Sequence, residues 1–315
     1  MLQYLVILLD DTSVSYCHYE NPKTEKRLIS LSDLKAGILF AMKQNLMIQF
    51  VYPGYEIPAE YQQVIETIDH HKIAPQKLQL TNTDIVVVDK CIPVNLPDNF
   101  VSEGKIFVMR TSKADFLANY KRIVPLIGEV KRLNIVLTDI ESFTENDFSL
   151  YREVLIQLKD VVKDIFLHGK SPQINLLIDR ILLDKMNNCN AGIENITLAP
   201  NGKFYICPAF YLENENDAVG DLTTGLNIKN KYLYQLQNAP LCRNCDAYQC
   251  KRCVWLNRKT TREVNTPSHE QCVVAHLERN ASRDLLIDLQ RLGAWKEKSI
   301  AAVDYLDPFE INGKF

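Results

Sequence analysis

The chain has 315 residues, of which 46% are hydrophobic and 24% are charged, and its formal net charge is −3. These values are typical of a globular protein with a sizeable core, and the near-neutral charge gives no case for nucleic-acid binding. The apolar run from Tyr4 to Leu9 is far shorter than the ~20 residues of a membrane helix. No basic segment precedes it and Asp10-Asp11 follow it, which excludes a signal peptide. We therefore expect a cytoplasmic protein with no membrane contact.

Residues 1–188 alternate between short Val, Ile and Leu runs and helical patterns. The predicted strands are Gln3–Leu9, Met47–Tyr52, Asp84–Val88, Lys105–Met109, Asn134–Leu137 and Ile174–Ile178. The predicted helices are Asp33–Lys43, Ala59–His70, Lys113–Leu126 and Thr144–Ile165. This alternation indicates βα units and a parallel sheet. We expect an α/β fold, either a partial (β/α) barrel or an open doubly wound sheet.

The composition changes at Asn187, where Asn, Gly, Lys, Cys and Pro become frequent. Ile196–Leu198 and Lys203–Ile206 predict a hairpin. A helix is predicted from Asn280 or Ser282 to about Leu292. The sequence thus predicts a βα domain over 1–186, a Cys-rich domain over 187–278, and a helix and tail over 279–315.

Seven of the nine cysteines lie between Cys189 and Cys272. They are Cys189, Cys207, Cys242, Cys245, Cys250, Cys253 and Cys272. In a reducing compartment, thiols this close together serve as metal or cluster ligands more often than as disulfides. Four thiolates suit either Zn²⁺ or an iron–sulfur cluster. Two C-x2-C pairs only four residues apart favour two interleaved centres, one with four thiolates and one with three.

This cysteine pattern resembles the SPASM domain, the cluster-binding extension of radical S-adenosylmethionine peptide maturases. The match runs through Cys189, Gly202 and Cys207, then through the four-cysteine run and Cys272, with two spacings each one residue shorter. The resemblance implies two auxiliary [4Fe–4S] clusters. It assigns Cys242, Cys245, Cys250 and Cys272 to one cluster and Cys189, Cys207 and Cys253 to the other.

The segment after the first strand departs from that family. A radical S-adenosylmethionine enzyme carries C-x3-C-x2-C there, whereas here only Cys17 is in register, and Asp10 and Val14 occupy the other two positions. One thiolate cannot hold the cofactor-binding cluster, so we expect no S-adenosylmethionine cleavage. The length and opening of the chain most resemble the CXXX repeat peptide maturase family.

The resemblance implies a pseudo-enzyme or accessory protein in the maturation of a ribosomally synthesised peptide. Its partners would be the precursor peptide, a radical S-adenosylmethionine maturase, or both. Two alternatives remain open. The chain is either a redox-active enzyme that works through its auxiliary clusters, or a zinc-stabilised interaction module.

Several other residues have both a functional and a structural interpretation. Cys17 is a vestigial ligand, a reactive thiol or a small core residue, and its aromatic neighbours favour burial. Cys91 follows an apolar strand and is expected to pack in the core. His70 and His71 at a helix end favour carbonyl capping or solvent over metal binding.

Two histidines and a basic cluster surround the last cysteines. His269 and His276 flank Cys272, and either one is a candidate to complete the three-cysteine site, although a surface position is the default. The basic side chains either offset thiolate charge or dock an acidic leader peptide. They are Arg243, Lys251, Arg252, Arg258, Lys259 and Arg262.

Overall fold

The computed structural model describes residues 1–78, 82–91, 105–186, 189–296, 298–303 and 306. Its main sheet has eight strands in the order β6-β5-β4-β3-β2-β1-β7-β8. These are β1 (Tyr4–Leu8), β2 (Met47–Val51), β3 (His70–Pro75), β4 (Ile85–Asp89), β5 (Ile106–Thr111), β6 (Arg132–Leu137), β7 (Asn195–Leu198) and β8 (Phe204–Tyr205). The sheet is mostly parallel, and β8 runs antiparallel to β7 as the hairpin prediction required. The predicted α/β fold is confirmed.

The helices are α1 (Leu31–Gln44), α2 (Ala59–Ile65), α3 (Lys113–Asn119), α4 (Glu145–Leu167), α5 (Asn175–Leu182), α6 (Pro208–Glu213), α7 (Val254–Thr261) and α8 (His269–Arg291). The start of α4 is fixed by a capping box between Thr144 and Asp147, as its sequence predicts. A short antiparallel ribbon joins β9 (Gly220–Asp221) and β10 (Gly225–Leu226). Within the described ranges, no helix has the length and apolar character needed to cross a membrane.

The chain divides into two compact units, and each is built from separated segments. The first unit comprises Met1–Val87, Cys189–Pro240 and Arg252–Asn265. Its core is formed by buried side chains of β1 and β2, including Leu5, Ile7 and Phe50, together with Leu34 and Ile38 of α1. Strand β1 is buried on both faces, which explains its continuous apolar sequence, whereas β2 contains the partly exposed Gln49.

Gly37 shows why a residue that disfavours helices lies inside α1. A Cβ atom at this position would overlap the side chain of Leu198 on β7. The helix therefore approaches the sheet more closely than any side chain at position 37 would permit, and this packing outweighs the helix-propensity cost of about 1 kcal/mol for glycine.

The second unit comprises Val88–Asn188, Leu241–Lys251 and Thr266–Phe315. Its long helices α4 and α8 pack on each other, and α8 also packs on α5. Helix α8 is buried on all sides over residues 271–277, and beyond them its buried residues lie mainly on one face, which includes Leu285 and Leu289. The core of this unit is therefore built around α8, the helix that carries Cys272.

Three predicted elements were wrong. The helix expected over Ala59–His70 ends at Ile65, and β3 follows it between β2 and β4, where Lys72, Ile73 and Ala74 are buried. The polar residues of β3 do not form a strand pattern, and the strand is stabilised by main-chain pairing with β2 and β4. His70 and His71 thus lie on a strand and not at a helix end, and His70 Nδ1 lies 2.8 Å from the Ile68 carbonyl oxygen.

The strand predicted at Ile174–Ile178 is helix α5, and only Ile174 forms a bridge to Leu133. The Asn175 side chain bonds to the main chain of Ile135 on β6, as a neighbouring strand would. It accepts from the Ile135 amide at 2.7 Å and donates to the Ile135 carbonyl at 2.9 Å. Helix α8 begins at His269, well before the predicted Asn280 or Ser282, with Ser268 as its N-cap. Cys272 consequently lies on a helix.

Candidate functional site: two groups of thiols

The seven clustered cysteines separate between the two units. Cys189, Cys207 and Cys253 belong to the first unit. Cys242, Cys245, Cys250 and Cys272 belong to the second unit. The chain passes from the second unit to the first between Lys251 and Arg252, so the run of four cysteines from Cys242 to Cys253 is divided between the two units. All nine cysteines lie within the described residues, and the structure holds them as thiols.

Two thiols of the first unit lie at the starts of short helices. Cys207 is the N-cap of α6, and Cys253 is the N-cap of α7. The nearby backbone amides of Phe210 and Leu256 favour the charged forms of the two thiols, although burial has the larger and opposite effect on their pKa values.

The thiols of this first group are close enough to affect one another electrostatically. Burial, followed by the nearby Cys253 and Cys189, raises the pKa of Cys207 well above its ordinary value. Burial, followed by Cys189 and then Cys17 as a smaller contribution, raises the pKa of Cys253 to about 12. Several thiolates together in this environment therefore require a compensating positive centre.

The segment after β1 adds Cys17 to this neighbourhood. Cys17 is half-buried, and it contributes to the raised pKa values of Cys253 and of the adjacent Tyr16. The sequence favoured a core position for Cys17, and the structure leaves this residue partly buried.

Asp10 has a structural role in the same segment. Its side chain is buried, and its Oδ1 accepts from the backbone amide of Thr12 at 2.8 Å and from the Thr12 hydroxyl at 2.5 Å. The Val14 amide donates to the Tyr52 carbonyl at 3.0 Å. Asp10 and Val14 thus shape a turn whose backbone is bonded to the residue that follows β2.

The second group combines a turn with the first part of α8. The Cys245 amide donates to the Cys242 carbonyl at 3.1 Å, and the Cys250 amide donates to the Ala247 carbonyl at 3.0 Å. Cys242 and Cys272 are buried. His276 lies one helical turn after Cys272, is buried, and places Nε2 3.4 Å from Cys245 Sγ.

The default surface position for His276 is therefore wrong. The histidine lies with the four-cysteine group of the second unit, where Cys245 is its neighbour. Spacing along α8 places residues four apart on the same face, and this is the signal that links His276 to Cys272. His269, by contrast, packs edge-on against Phe148 at the start of the helix, with ring centroids 5.8 Å apart.

An ion-pair network holds the cysteine turn of the second unit in place. Asp246 accepts hydrogen bonds from Arg279 at 2.8 and 2.6 Å and from Arg180 at 3.1 Å. Arg279 is fully buried, and Arg180 lies over the Tyr248 ring, 4.4 Å from its centroid. Asp246 directly follows Cys245, so these arginines position the backbone that carries the thiol.

Glu278 makes the stability of the second unit sensitive to pH. Burial raises the pKa of Glu278 to about 7 despite a hydrogen bond from Tyr151 at 2.8 Å. Because the folded state binds this proton more tightly than the unfolded state does, the stabilisation is complete below about pH 4.5 and is lost as the pH rises through about 7. Glu278→Gln should remove roughly 3 kcal/mol of this pH dependence, as measured by urea unfolding at several pH values.

Glu129→Gln is the matched control, since Glu129 forms an exposed ion pair with Lys170. Its unfolding profile should follow that of the wild type within about 0.5 kcal/mol. Equal pH profiles for Glu278→Gln and the wild type would contradict a raised pKa at Glu278.

Two kinds of centre use thiolates in groups of this size, a single metal ion and an iron–sulfur cluster. Within the described part of the chain, no three His, Cys, Asp or Glu side chains are close enough together to hold a single metal ion. Four thiolates are a standard ligand set for a structural zinc ion, and four thiolates also hold a four-iron cluster, one at each iron. The donor chemistry of these cysteines therefore suits either centre.

The basic side chains near the cysteines are partly committed to neighbours within the first unit. Arg252 is buried and donates to the Tyr234 carbonyl at 2.7 Å. Arg258 pairs with Asp217 at 2.5 Å and with Glu213 at 2.7 Å. These contacts reduce the positive charge that this unit offers to an acidic peptide. In the second unit, Cys91 is buried against Thr111, as expected for a packing residue.

Structural comparison found similar proteins where sequence comparison did not. No protein-family model matches this chain, and no curated protein matches it significantly. The structure of native anSMEcpe with bound AdoMet and the Cp18Cys peptide has a TM-score of 0.61 and 14% identity, and the alignment covers 92% of this chain and 99% of that one. The structure of native anSMEcpe with bound AdoMet has a TM-score of 0.59 and 14% identity, over 91% and 99% of the two chains. At these identities the similarity establishes the fold alone, and the chain shares its α/β fold with these structures.

Proposed function

We propose that this protein is an accessory protein or pseudo-enzyme in the maturation of a ribosomally synthesised peptide, and that it carries two iron–sulfur clusters. The observation that carries the proposal is the division of the seven cysteines between the units. Cys189, Cys207 and Cys253 fall in one unit and the remaining four in the other. This is the grouping that the resemblance to SPASM domains implies.

The fold supports a peptide partner. The anSMEcpe structures that share it hold a bound peptide in two cases, Cp18Cys and Kp18Cys. A maturation role in the cytoplasm needs a precursor peptide, and the resemblance to CXXX repeat peptide maturases favours one with Cys-x-x-x repeats. A radical S-adenosylmethionine maturase would then be the catalytic partner. The bound clusters would supply electron transfer or structural support.

The segment after β1 supports the absence of S-adenosylmethionine cleavage by this chain. AdoMet is bound in the anSMEcpe structures. Here Asp10 and Val14 stand at two positions of the expected three-thiolate motif, and Asp10 is engaged with Thr12 in a turn. A single thiolate at Cys17 is insufficient for a cofactor-binding cluster.

Anaerobic purification tests this proposal directly. We expect about eight iron and eight sulfide per chain, as two four-iron clusters require. Incubation with S-adenosylmethionine and a reductant should release neither methionine nor 5′-deoxyadenosine. The encoded precursor peptide should be retained on the immobilised protein, with or without a maturase.

Three results would overturn parts of this assignment. A colourless, zinc-loaded protein would favour the interaction module and exclude both cluster interpretations. Release of 5′-deoxyadenosine would show a working cofactor site. Modification of the peptide by this chain alone, without S-adenosylmethionine, would identify a redox-active enzyme.

A further inference from the structure

We propose that the surface around Trp295, where α4 and α8 end, binds an acidic peptide segment that carries a bulky apolar side chain. Five residues define this Trp295 surface, namely Leu167, Arg291, Leu292, Trp295 and Lys296. All five belong to the second unit. The assignment rests on the proposed function in one respect, since it takes the precursor peptide as the source of such a segment.

Two leucines at the ends of the helices are exposed. Leu167, the last residue of α4, is 54% exposed, and Leu292, the C-cap of α8, is 48% exposed. The two helix ends lie together, because α4 and α8 pack on each other and Phe166 meets Trp295 edge-on, with ring centroids 5.8 Å apart. Apolar side chains that gather at one place on a surface indicate an interaction site more strongly than scattered ones do.

Hydrogen bonds to α8 hold the segment that carries Trp295. The Gln290 side chain donates to the carbonyls of Lys296 and Lys298, at 3.1 and 2.7 Å. The indole is half-buried and packs on Phe166. A tryptophan held in this way loses little conformational freedom when a partner binds. Tryptophan is also among the residues most enriched at the centres of protein interfaces.

An open cavity of about 600 Å³ adjoins the indole. Gln290, Trp295, Lys298 and Ser299 line it. Its volume lies within the range of ligand pockets, roughly 300–1,000 Å³. The cavity can therefore receive an apolar side chain against the indole, which favours a peptide over the plane of a lipid surface.

The free charges of this surface are positive. Arg291 and Lys296 are exposed, and neither forms an ion pair within the part of the chain that the structure describes. The carboxylate one turn before Arg291 is already paired, because Asp288 lies 3.0 Å from Lys159. Over residues 291–299 the sequence carries three basic side chains and one acidic one. Charge complementarity therefore favours an acidic partner and disfavours a basic one.

Binding of a synthetic peptide to the full-length protein tests the proposal. The probe is a fluorescein-labelled peptide with Leu and Glu in helical spacing, and binding is read by fluorescence anisotropy. Two matched peptides replace every Glu by Lys or every Leu by Ser, and we expect neither of them to bind. Trp295→Ala should weaken binding of the Leu and Glu peptide by about tenfold, as loss of a central aromatic anchor does.

The charge and the position of the site are tested by two further variants. Lys296→Glu should weaken binding by about threefold at low salt and by less at high salt, because salt screens exposed charges. Ile156→Ala is the matched control, since Ile156 is 49% exposed on α4 and lies about three turns before Leu167. This variant should bind the peptide as the wild type does.

Photo-crosslinking of the wild-type protein does not depend on how the variants fold. The same peptide with benzophenone in place of one Leu should crosslink to the segment that contains Leu292 and Trp295, as read by mass spectrometry. Crosslinks confined to other segments would overturn the proposal, and so would equal affinities of the wild type, Trp295→Ala and Lys296→Glu.

Two other occupants give results that also overturn the proposal. Binding to vesicles of anionic lipid without binding of the acidic peptide would assign this surface to a membrane. A dimer that Trp295→Ala dissociates in sedimentation velocity, without peptide binding, would assign it to a second copy of this chain. Iron analysis separates these failures from failure of the proposed function, because an iron-loaded protein that binds no acidic peptide here keeps its cluster assignment.

Discussion

Replacing Asp246 with alanine is expected to lower the free energy of unfolding of the second unit by about 3 kcal/mol. The substitution removes two hydrogen-bonded contacts to Arg279 and one to Arg180. Arg279 is fully buried, so its charge cannot recover water as a partner. The effect lies at the lower end of the range for broken buried pairs, because Arg279 also donates to Asn280 at 3.0 Å and to the Ala301 carbonyl at 2.5 Å. Urea unfolding of the iron-free protein measures the change.

Asp284→Ala is the matched control for this prediction. Asp284 is about half exposed, and its partner Arg283 lies 3.0 Å away on the same helix. Loss of an exposed pair should cost less than about 1 kcal/mol. If both substitutions have the same small effect, the buried network does not stabilise the cysteine turn.

Replacing Cys272 with serine is expected to remove the cluster of the second unit and about half of the iron. Cys272 is buried on α8, so a serine hydroxyl there meets the same neighbours with a much weaker affinity for iron. Because metal binding contributes folding free energy, the melting temperature of the loaded protein should fall as well. Iron and sulfide analysis and a thermal melt under anaerobic conditions measure both effects.

The control for this change is Cys91→Ser in the same unit. Its thiol contacts the Thr111 hydroxyl at 3.6 Å and lies outside the cysteine-rich stretch. This variant should keep all of its iron, even if its stability is lower. Retention of the wild-type iron content by Cys272→Ser would contradict the assignment of Cys272 as a ligand.

Sequence patterns predicted an element correctly where the residues of that element by themselves favour its structure. Strand β1 is a continuous apolar run, β2 is mostly apolar and the start of α4 has a capping box, so these elements were predicted with correct positions. The patterns failed at β3 and α5. The polar strand β3 is stabilised by pairing on both sides, and Asn175 binds the backbone of Ile135 in place of another strand. The partners of β3 and of Asn175 are distant in sequence, so a local pattern does not include them.

The sequence by itself determined the α/β fold and the clustering of the seven cysteines. These depend on residue type, spacing and order, which are read directly from the chain. Only the tertiary structure decided that α8 begins early enough to carry Cys272 and His276 on one face, and that Tyr19 packs on Trp255 of α7. The physical reason is that aromatic packing and buried ion pairs join residues far apart in sequence, and no local pattern records which partners they will find.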